Sequence, residues 1–191
     1  KYLMPSDNVY LPVHVGGGLC DNDFGYQKDS TGDNISQKNP YFCELTGLYW
    51  AWKNLDSDYI GLVHYRRYFT LHKHIPKDST KKFALVLSGS EINDLLKNTE
   101  VILPKKRKYY IENLYDHYKH TMYVEPLDET RKIIEEKYPE YLKEFDNLKK
   151  RTSAHMFNMF IMKKEMLNDY CTWLFDILFE LEKTIDSDKY D

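Results

Sequence analysis

The sequence predicts a mixed α/β fold in which helices flank a sheet of short strands. Over 191 residues the hydrophobic spacing switches repeatedly between buried-strand runs and the period of amphipathic helices. Helix-like and strand-like segments alternate along the chain, the pattern of sheets covered by helices. No internal repeat or low-complexity linker interrupts that alternation. Hydrophobic residues at 42% and charged residues at 30% suit a domain with a real core rather than a disordered tail. No apolar stretch approaches the length of a bilayer crossing.

Residues 8–15 read as extended, and Gly16-Gly17-Gly18 with the polar run 21–39 reads as a long loop. Loops of that length inside compact domains are often functional. The clearest helix start follows: Asn39 suits the N-cap, Pro40 the first helical position, and Tyr41, Leu45, Leu48, Tyr49 and Trp52 recur on one face as far as Asn54. After the turn at 55–58, Tyr59-Ile-Gly-Leu-Val63 reads as a buried strand that runs straight into His64-Tyr65-Arg66-Arg67-Tyr68-Phe69. Ala84–Leu87 and Val101–Leu103 read as strands on either side of a helix at 90–98. Residues 110–120 and 127–149 are expected to be helical, with a break at Pro139, whose ring removes a helix hydrogen bond. Met156–Met162 is a further strand, feeding a helix at 165–184 whose Tyr170, Cys171, Leu174, Ile177, Leu178 and Leu181 keep the helical period. Residues 59–63 and 156–162 should therefore share one sheet, covered by the helices at 40–54 and 165–184.

The net charge of −3 offers no overall basic field for nucleic acid. Cys20, Cys43 and Cys171 are widely spaced with no CxxC pair, which argues against a disulfide framework or structural zinc and places the chain in a reducing compartment, the cytoplasm. Lys1 is not an initiator, no secretory pattern follows it, and the other end stops inside the charged run 186–191, so a fragment of a longer chain is expected.

Ligands of helix-flanked sheets bind at the carboxyl ends of strands. His64, Tyr65, Arg66 and Arg67 sit just past a strand, and two adjacent guanidiniums supply planar forks of donors for phosphate oxygens. The same pair fits surface ion pairs with some of the 30 acidic residues. The loop Asp29–Ser36, with Asp33 and Asn34, fits a nucleotide or sugar contact and equally a turn plus helix cap. Asp116, His117 and His120 share a helix face, as a base and its orienting partner would, and as a solvated polar face would. No third ligand with recognisable metal spacing accompanies the two histidines. Tyr49, Trp50 and Trp52 fit packing better than a sugar platform. GxGxxG, GxxxxGK[ST] and GxSxG are all absent.

Longer ordered motifs carry a resemblance. Thr31-Gly-Asp-Asn-Ile-Ser36, Asn39-Pro40, Cys43-Glu-Leu-Thr46, Tyr49-Trp-Ala-Trp-Lys-Asn54 and Tyr59–Phe69 closely resemble a bacterial family of capsular and exopolysaccharide glycosyltransferases, much of it catalogued only as a domain of unknown function. The likeness continues through Ile102–Lys105, Tyr115–Tyr118, Arg151–Met162 and Trp173–Asp176, nearly the whole chain. It implies a GT-A-like fold, a helix-flanked mixed sheet in one domain over 1–191, lacking the family's first strand and C-terminal extension. The implied activity moves a sugar, of galactose type, from a UDP donor onto a growing capsular, exopolysaccharide or O-antigen glycan.

The resemblance places the donor against Asp33, Asn34, His64, Tyr65, Arg66 and Arg67. Many GT-A enzymes hold a divalent ion against the diphosphate through an Asp-x-Asp motif; here the comparable passage ends in His64-Tyr65-Arg66, so arginine is expected to neutralise the leaving diphosphate. No metal ligand is assigned, although Asp21, Asp23 or Asp33 could still carry manganese or magnesium. His155 and Asn158 are the acceptor-side candidates, and Asp116, His117 and Glu44 the candidate bases. The implied partners are a nucleotide-sugar donor and a lipid-linked or oligosaccharide acceptor, with no nucleic acid and with peripheral membrane association of the full-length protein at the inner face of the cytoplasmic membrane. A noncatalytic carbohydrate-binding module and a nucleotide-sugar phosphohydrolase are the rival readings.

Overall fold

The computed structural model describes residues 3–73, 83–186 and 189, so most of the terminal run 186–191 lies outside the described residues. In chain order the first elements are β1 (Val13–His14), β2 (Gln27–Lys28), a 3-10 turn (Ser36–Lys38), α1 (Asn39–Phe42), α2 (Leu45–Asn54) and β3 (Tyr59–Leu62). A second 3-10 turn (Phe83–Leu85), α3 (Gly89–Leu96), β4 (Val101–Ile102) and β5 (Arg107–Lys108) follow. The chain then runs through α4 (Leu114–Thr121), α5 (Glu125–Lys137), α6 (Pro139–Lys150), β6 (Ser153–Ala154), β7 (Phe160–Lys163) and α7 (Lys164–Thr184). The described residues gather into two compact units, Lys1–Pro104 with Asn158–Leu167, and Lys105–Phe157 with Asn168–Asp191. No helix among them is long and apolar enough to cross a membrane.

In the first unit β7 is the central strand of an antiparallel sheet of order β3-β7-β4, with Ile60 opposite Met162 and Ile102 opposite Ile161. A strand covered on both faces reads as an unbroken apolar run, and Phe160, Ile161 and Met162 are all buried. Gly61 lets the strands close up, since a Cβ there would stand 2.9 Å from Ile161 Cγ1 and 3.0 Å from the Phe160 carbonyl. One face carries a core of Phe69, Leu87, Ile92, Met159 and Ile161, with Val63, Leu95, Leu96 and Ile102 packed on it. Each such side chain contributes roughly 1.5 to 3 kcal/mol when fully buried. Helix α3 enters this core through a capping box, in which Ser88 Oγ accepts the Glu91 N–H and Glu91 Oε2 accepts the Ser88 N–H.

The predicted pairing of 59–63 with 156–162 holds, but the second strand begins at Phe160. Phe157 and Asn158 take positive φ of 75° and 51°, a left-handed turn that no strand can contain. Ala84–Leu87 is not a strand: Phe83–Leu85 forms a 3-10 turn tied by Thr70 Oγ to the Leu85 carbonyl at 2.6 Å. The helix expected over 40–54 is two helices, divided at Cys43, where φ is 47° and ψ is −128°. Of the extended run 8–15, only Val13–His14 is strand, paired in parallel with Gln27–Lys28.

The second unit is mainly helical. Helix α5, α6 and the part of α7 that belongs to this unit enclose Ile133, Ile134 and Ile177, with Tyr138, Leu142, Phe145, Trp173 and Leu181 around them. Pro139 opens α6, where its missing N–H costs no helix bond. Arg131 forks onto Asp146 with both contacts at 2.9 Å, tying α5 to α6. Asp176 accepts the Tyr138 hydroxyl at 2.7 Å and pairs with Lys137 at 2.6 Å. A short antiparallel pair, Arg107 opposite Ala154 and Lys108 opposite Ser153, completes the unit.

Candidate functional site

The polar loops of the first unit are organised by one residue. Asp29 is fully buried, and its carboxylate accepts four hydrogen bonds: Gly16 N–H and Thr46 Oγ on Oδ2 at 2.9 and 2.6 Å, Gly17 N–H and Ser36 Oγ on Oδ1 at 2.9 and 2.5 Å. Ser36 Oγ in turn accepts the Gly18 N–H at 2.9 Å. Burying a polar group is costly unless hydrogen bonds replace its water, and four donors do so here. The glycine run, the loop 29–36 and the start of α2 are thus fixed to one another. Gly16 itself is at φ 67°, and a Cβ on it would stand 2.6 Å from Asn39 Oδ1.

The same network sets the break between α1 and α2. The Cys43 carbonyl accepts Asn39 Nδ2 at 2.8 Å and Thr46 Oγ at 3.1 Å, and these bonds hold the unusual backbone of Cys43. Glu44 follows directly, half-buried, and its Oε1 accepts Asn158 Nδ2 at 3.0 Å. Two candidates 114 positions apart in sequence therefore meet, each presented by a left-handed turn. Partial burial first, and then the Glu44 charge, raise the Cys43 thiol above its ordinary range.

Asp33 and Asn34 differ in what they have left to offer. Asn54 clamps Asp33 through its N–H and carbonyl at 3.1 and 2.7 Å, and Tyr49 donates to the Asp33 carboxylate at 3.3 Å. Burial first, and then Asp33, push the Tyr49 hydroxyl upward. The Asp33 residue is otherwise exposed. The Asn34 side chain is committed to its own loop, donating to the Gly32 carbonyl at 2.9 Å and accepting the Ser36 N–H at 3.2 Å. That part of the loop is a turn. Trp50 donates to Thr31 Oγ at 2.9 Å and is buried, in line with its expected packing role.

Past β3 the chain makes a tight turn, closed by reciprocal backbone bonds between His64 and Arg67 at 3.0 and 3.1 Å. Tyr65, Arg66 and Arg67 are exposed on it and His64 is half-buried. The Arg66 guanidinium lies 4.7 Å from the centre of the Tyr65 ring, and among the described residues no ion pair involves it. Buried Phe69 anchors the far end. The turn can present a stacked guanidinium to an anion.

In the second unit Asp116 and His117 bond to different partners. Asp116 is tied to the N-cap of α4, its N–H donating to Asn113 Oδ1 at 2.8 Å and its Oδ2 accepting Asn113 Nδ2 at 2.7 Å. His117 and His120 instead share Glu112, with Nδ1 atoms 3.2 and 2.9 Å from its two oxygens, and His117 stacks on Tyr109 with ring centres 4.0 Å apart. Bonds from His120 and then His117 hold Glu112 below the usual carboxylate range. His155 is exposed. Asn113, Tyr115, Asp146, Lys149 and Lys150 line a cavity of about 370 Å3. Among the described residues no three His, Cys, Asp or Glu side chains gather closely enough to hold a metal ion, and Asp23 is turned to the Gly25 N–H at 2.7 Å.

The model of a family described as a domain of unknown function, DUF4422, matches residues 1–191. The chain belongs to the DUF4422 family. A comparison with curated proteins finds no match. Among solved structures, the apo structure of the bifunctional glycosyltransferase WbbM is similar at 33% identity over 97% of this chain, with a TM-score of 0.86. This DUF4422 chain spans 36% of the length of WbbM. The mixed α/β fold is therefore the GT-A-like fold that the resemblance implied.

Spacing could not find Asp29, Asn39 and Thr46 as the frame of this DUF4422 site, because their bonds are made between segments. The signal present was the density of small polar residues around Gly16–Gly18, which marked the loop but not its hub. The helix expected from residue 110 begins only at Leu114, so Glu112 lies on the bend before it and reaches His117 and His120 from outside the helix.

Proposed function

We propose that residues 1–191 form one glycosyltransferase domain that moves a sugar, of galactose type, from UDP onto a growing capsular, exopolysaccharide or O-antigen glycan. The observation that carries the reading is the likeness to WbbM, close in fold and in sequence over 97% of the chain. The exposed arginine turn after β3 supports it locally. Arg66 and Arg67 receive the diphosphate there, with His64, Tyr65, Asp33 and Asn34 around the rest of the donor.

Glu44, held by Asn158, is the base. It takes the proton of an acceptor hydroxyl as that oxygen bonds to the anomeric carbon, while the bond from that carbon to the β-phosphate breaks and UDP leaves. Guanidiniums neutralise the charge that develops on the leaving group. The acceptor is a lipid-linked or free oligosaccharide, met at the inner face of the cytoplasmic membrane.

Calorimetry with UDP, a UDP-sugar and a free oligosaccharide separates this reading from its rivals. A transferase binds UDP and the UDP-sugar; a sugar-binding module binds only the oligosaccharide; a phosphohydrolase consumes the UDP-sugar with no acceptor present.

A further inference from the structure

We propose that the second unit carries a docking surface for an anionic membrane, built from the cationic run Lys105-Lys106-Arg107-Lys108 and the apolar tip Tyr110-Ile111. The inference stands on this surface alone and does not need the transfer reading. Tyr110 and Ile111 are 92% and 97% exposed, on the bend between β5 and α4. Single exposed apolar residues are ordinary, but here two adjacent ones project almost completely, next to four exposed cations. None of those four has an ion pair among the described residues, in a chain whose net charge is −3.

Local pairing adds to the patch. The β5–β6 ladder and the bond from Tyr109 N–H to the Thr152 carbonyl at 2.7 Å bring the end of α6 alongside, where exposed Lys150 is also without an ion pair among the described residues. The neighbouring carboxylates are already engaged: Glu112 by His117 and His120, Asp116 by Asn113, Asp146 by Arg131. The cations therefore face outward uncompensated. Arg107 also lies 5.3 Å from the centre of the Tyr109 ring, which holds its guanidinium beside the tip.

This combination matches a lipid surface better than another polyanion. Cations near an anionic leaflet gain Coulomb energy, a tyrosine settles at the headgroup level with its hydroxyl wet, and an isoleucine gains only by entering the acyl boundary. Stable peripheral binding takes two such signals together. A nucleic acid or acidic glycan would use the cations and leave Ile111 in water.

The test is flotation of the full-length protein with vesicles of phosphatidylcholine alone and of phosphatidylcholine with phosphatidylglycerol. Binding is expected only to the anionic vesicles, and to fall when salt screens the headgroups. Each cation contributes about a fivefold factor near such a surface, so K105A/K106A/R107A/K108A should lower partitioning by at least tenfold. Y110S/I111S should lower it several-fold with its melting curve unchanged, because both residues are solvated already. Ile111→Trp should give blue-shifted emission on anionic vesicles relative to wild type. Equal partitioning of wild type and both multiple variants, or no preference for anionic vesicles, overturns the proposal. So does loss on removing the cations with no effect of Y110S/I111S and no blue shift, which would mark a general polyanion surface instead.

Discussion

Asp29 is the residue on which the polar loops of the first unit depend. Replacing it with alanine leaves the donors of Gly16, Gly17 and Ser36 buried without a partner, while Thr46 keeps the Cys43 carbonyl, and each orphaned donor costs about 1 to 3 kcal/mol less whatever water recovers. Asp29→Ala should therefore lower unfolding free energy by at least about 3 kcal/mol in urea titration. A change within about 0.5 kcal/mol, the range of ordinary surface substitutions, would contradict the hub. The glycines allow a finer comparison. Gly32 is at φ 59°, and a Cβ there would overlap Asn54 Oδ1, whereas Gly25 at φ 68° has open space around that position. Gly25→Ala should cost about 1 kcal/mol through backbone strain alone, and Gly32→Ala distinctly more in the same thermal melts. Equal costs would mean that Asn54 does not clamp the loop. At Glu44, Glu44→Gln should lower kcat by about a hundredfold or more while leaving UDP affinity intact. An unchanged kcat would remove Glu44 as the base.

At the scale of elements, the clearest titration joins α5 to α6. The Arg131 fork holds Asp146 below the ordinary carboxylate value of 3.8. A depressed carboxylate contributes stability that is complete above its unfolded value and is lost as pH falls through the folded one. Wild type should therefore lose its advantage over Arg131→Leu as pH drops below about 4, and keep it at neutral pH, in acid-dependent melts. A constant difference across that window would exclude the fork as the cause. Elements whose causes are local could be read from the sequence. Pro139 at the start of α6 and the helical stripe Cys171, Leu174, Ile177, Leu181 belong to that group. The apolar run ending at Met162 revealed a central strand, but not that Phe157 and Asn158 turn left-handed just before it. Ala84–Leu87 failed for a different reason: four apolar residues fit a strand and a turn equally, and the Leu85 carbonyl is settled by Thr70, fifteen residues away. The break at Cys43 was hidden because the apolar period runs across it, while the bonds that make it come from Asn39 and Thr46.

For the whole molecule, sequence adjacency decided which part of the site was visible. His64 to Arg67 are consecutive, so the cationic cluster past β3 was legible, though not the tight turn that carries it, whereas the meeting of Glu44 with Asn158 is a property of the folded unit alone. The family match spans both compact units, and the central claim is that this chain receives a nucleotide diphosphate on the arginine turn. Charge-assisted hydrogen bonds of that kind contribute about 1.5 to 3 kcal/mol each, and lysine keeps the charge but loses the planar fork. The measurement is UDP titration of the full-length protein as wild type, Arg66→Lys, Arg66→Ala, Arg67→Lys and Arg67→Ala, first in EDTA and then with manganese. The account predicts binding in EDTA, weakened by at least about tenfold in one or both alanine variants and poorly restored by lysine. Unchanged affinity in all four variants, or binding that appears only with manganese, would contradict it.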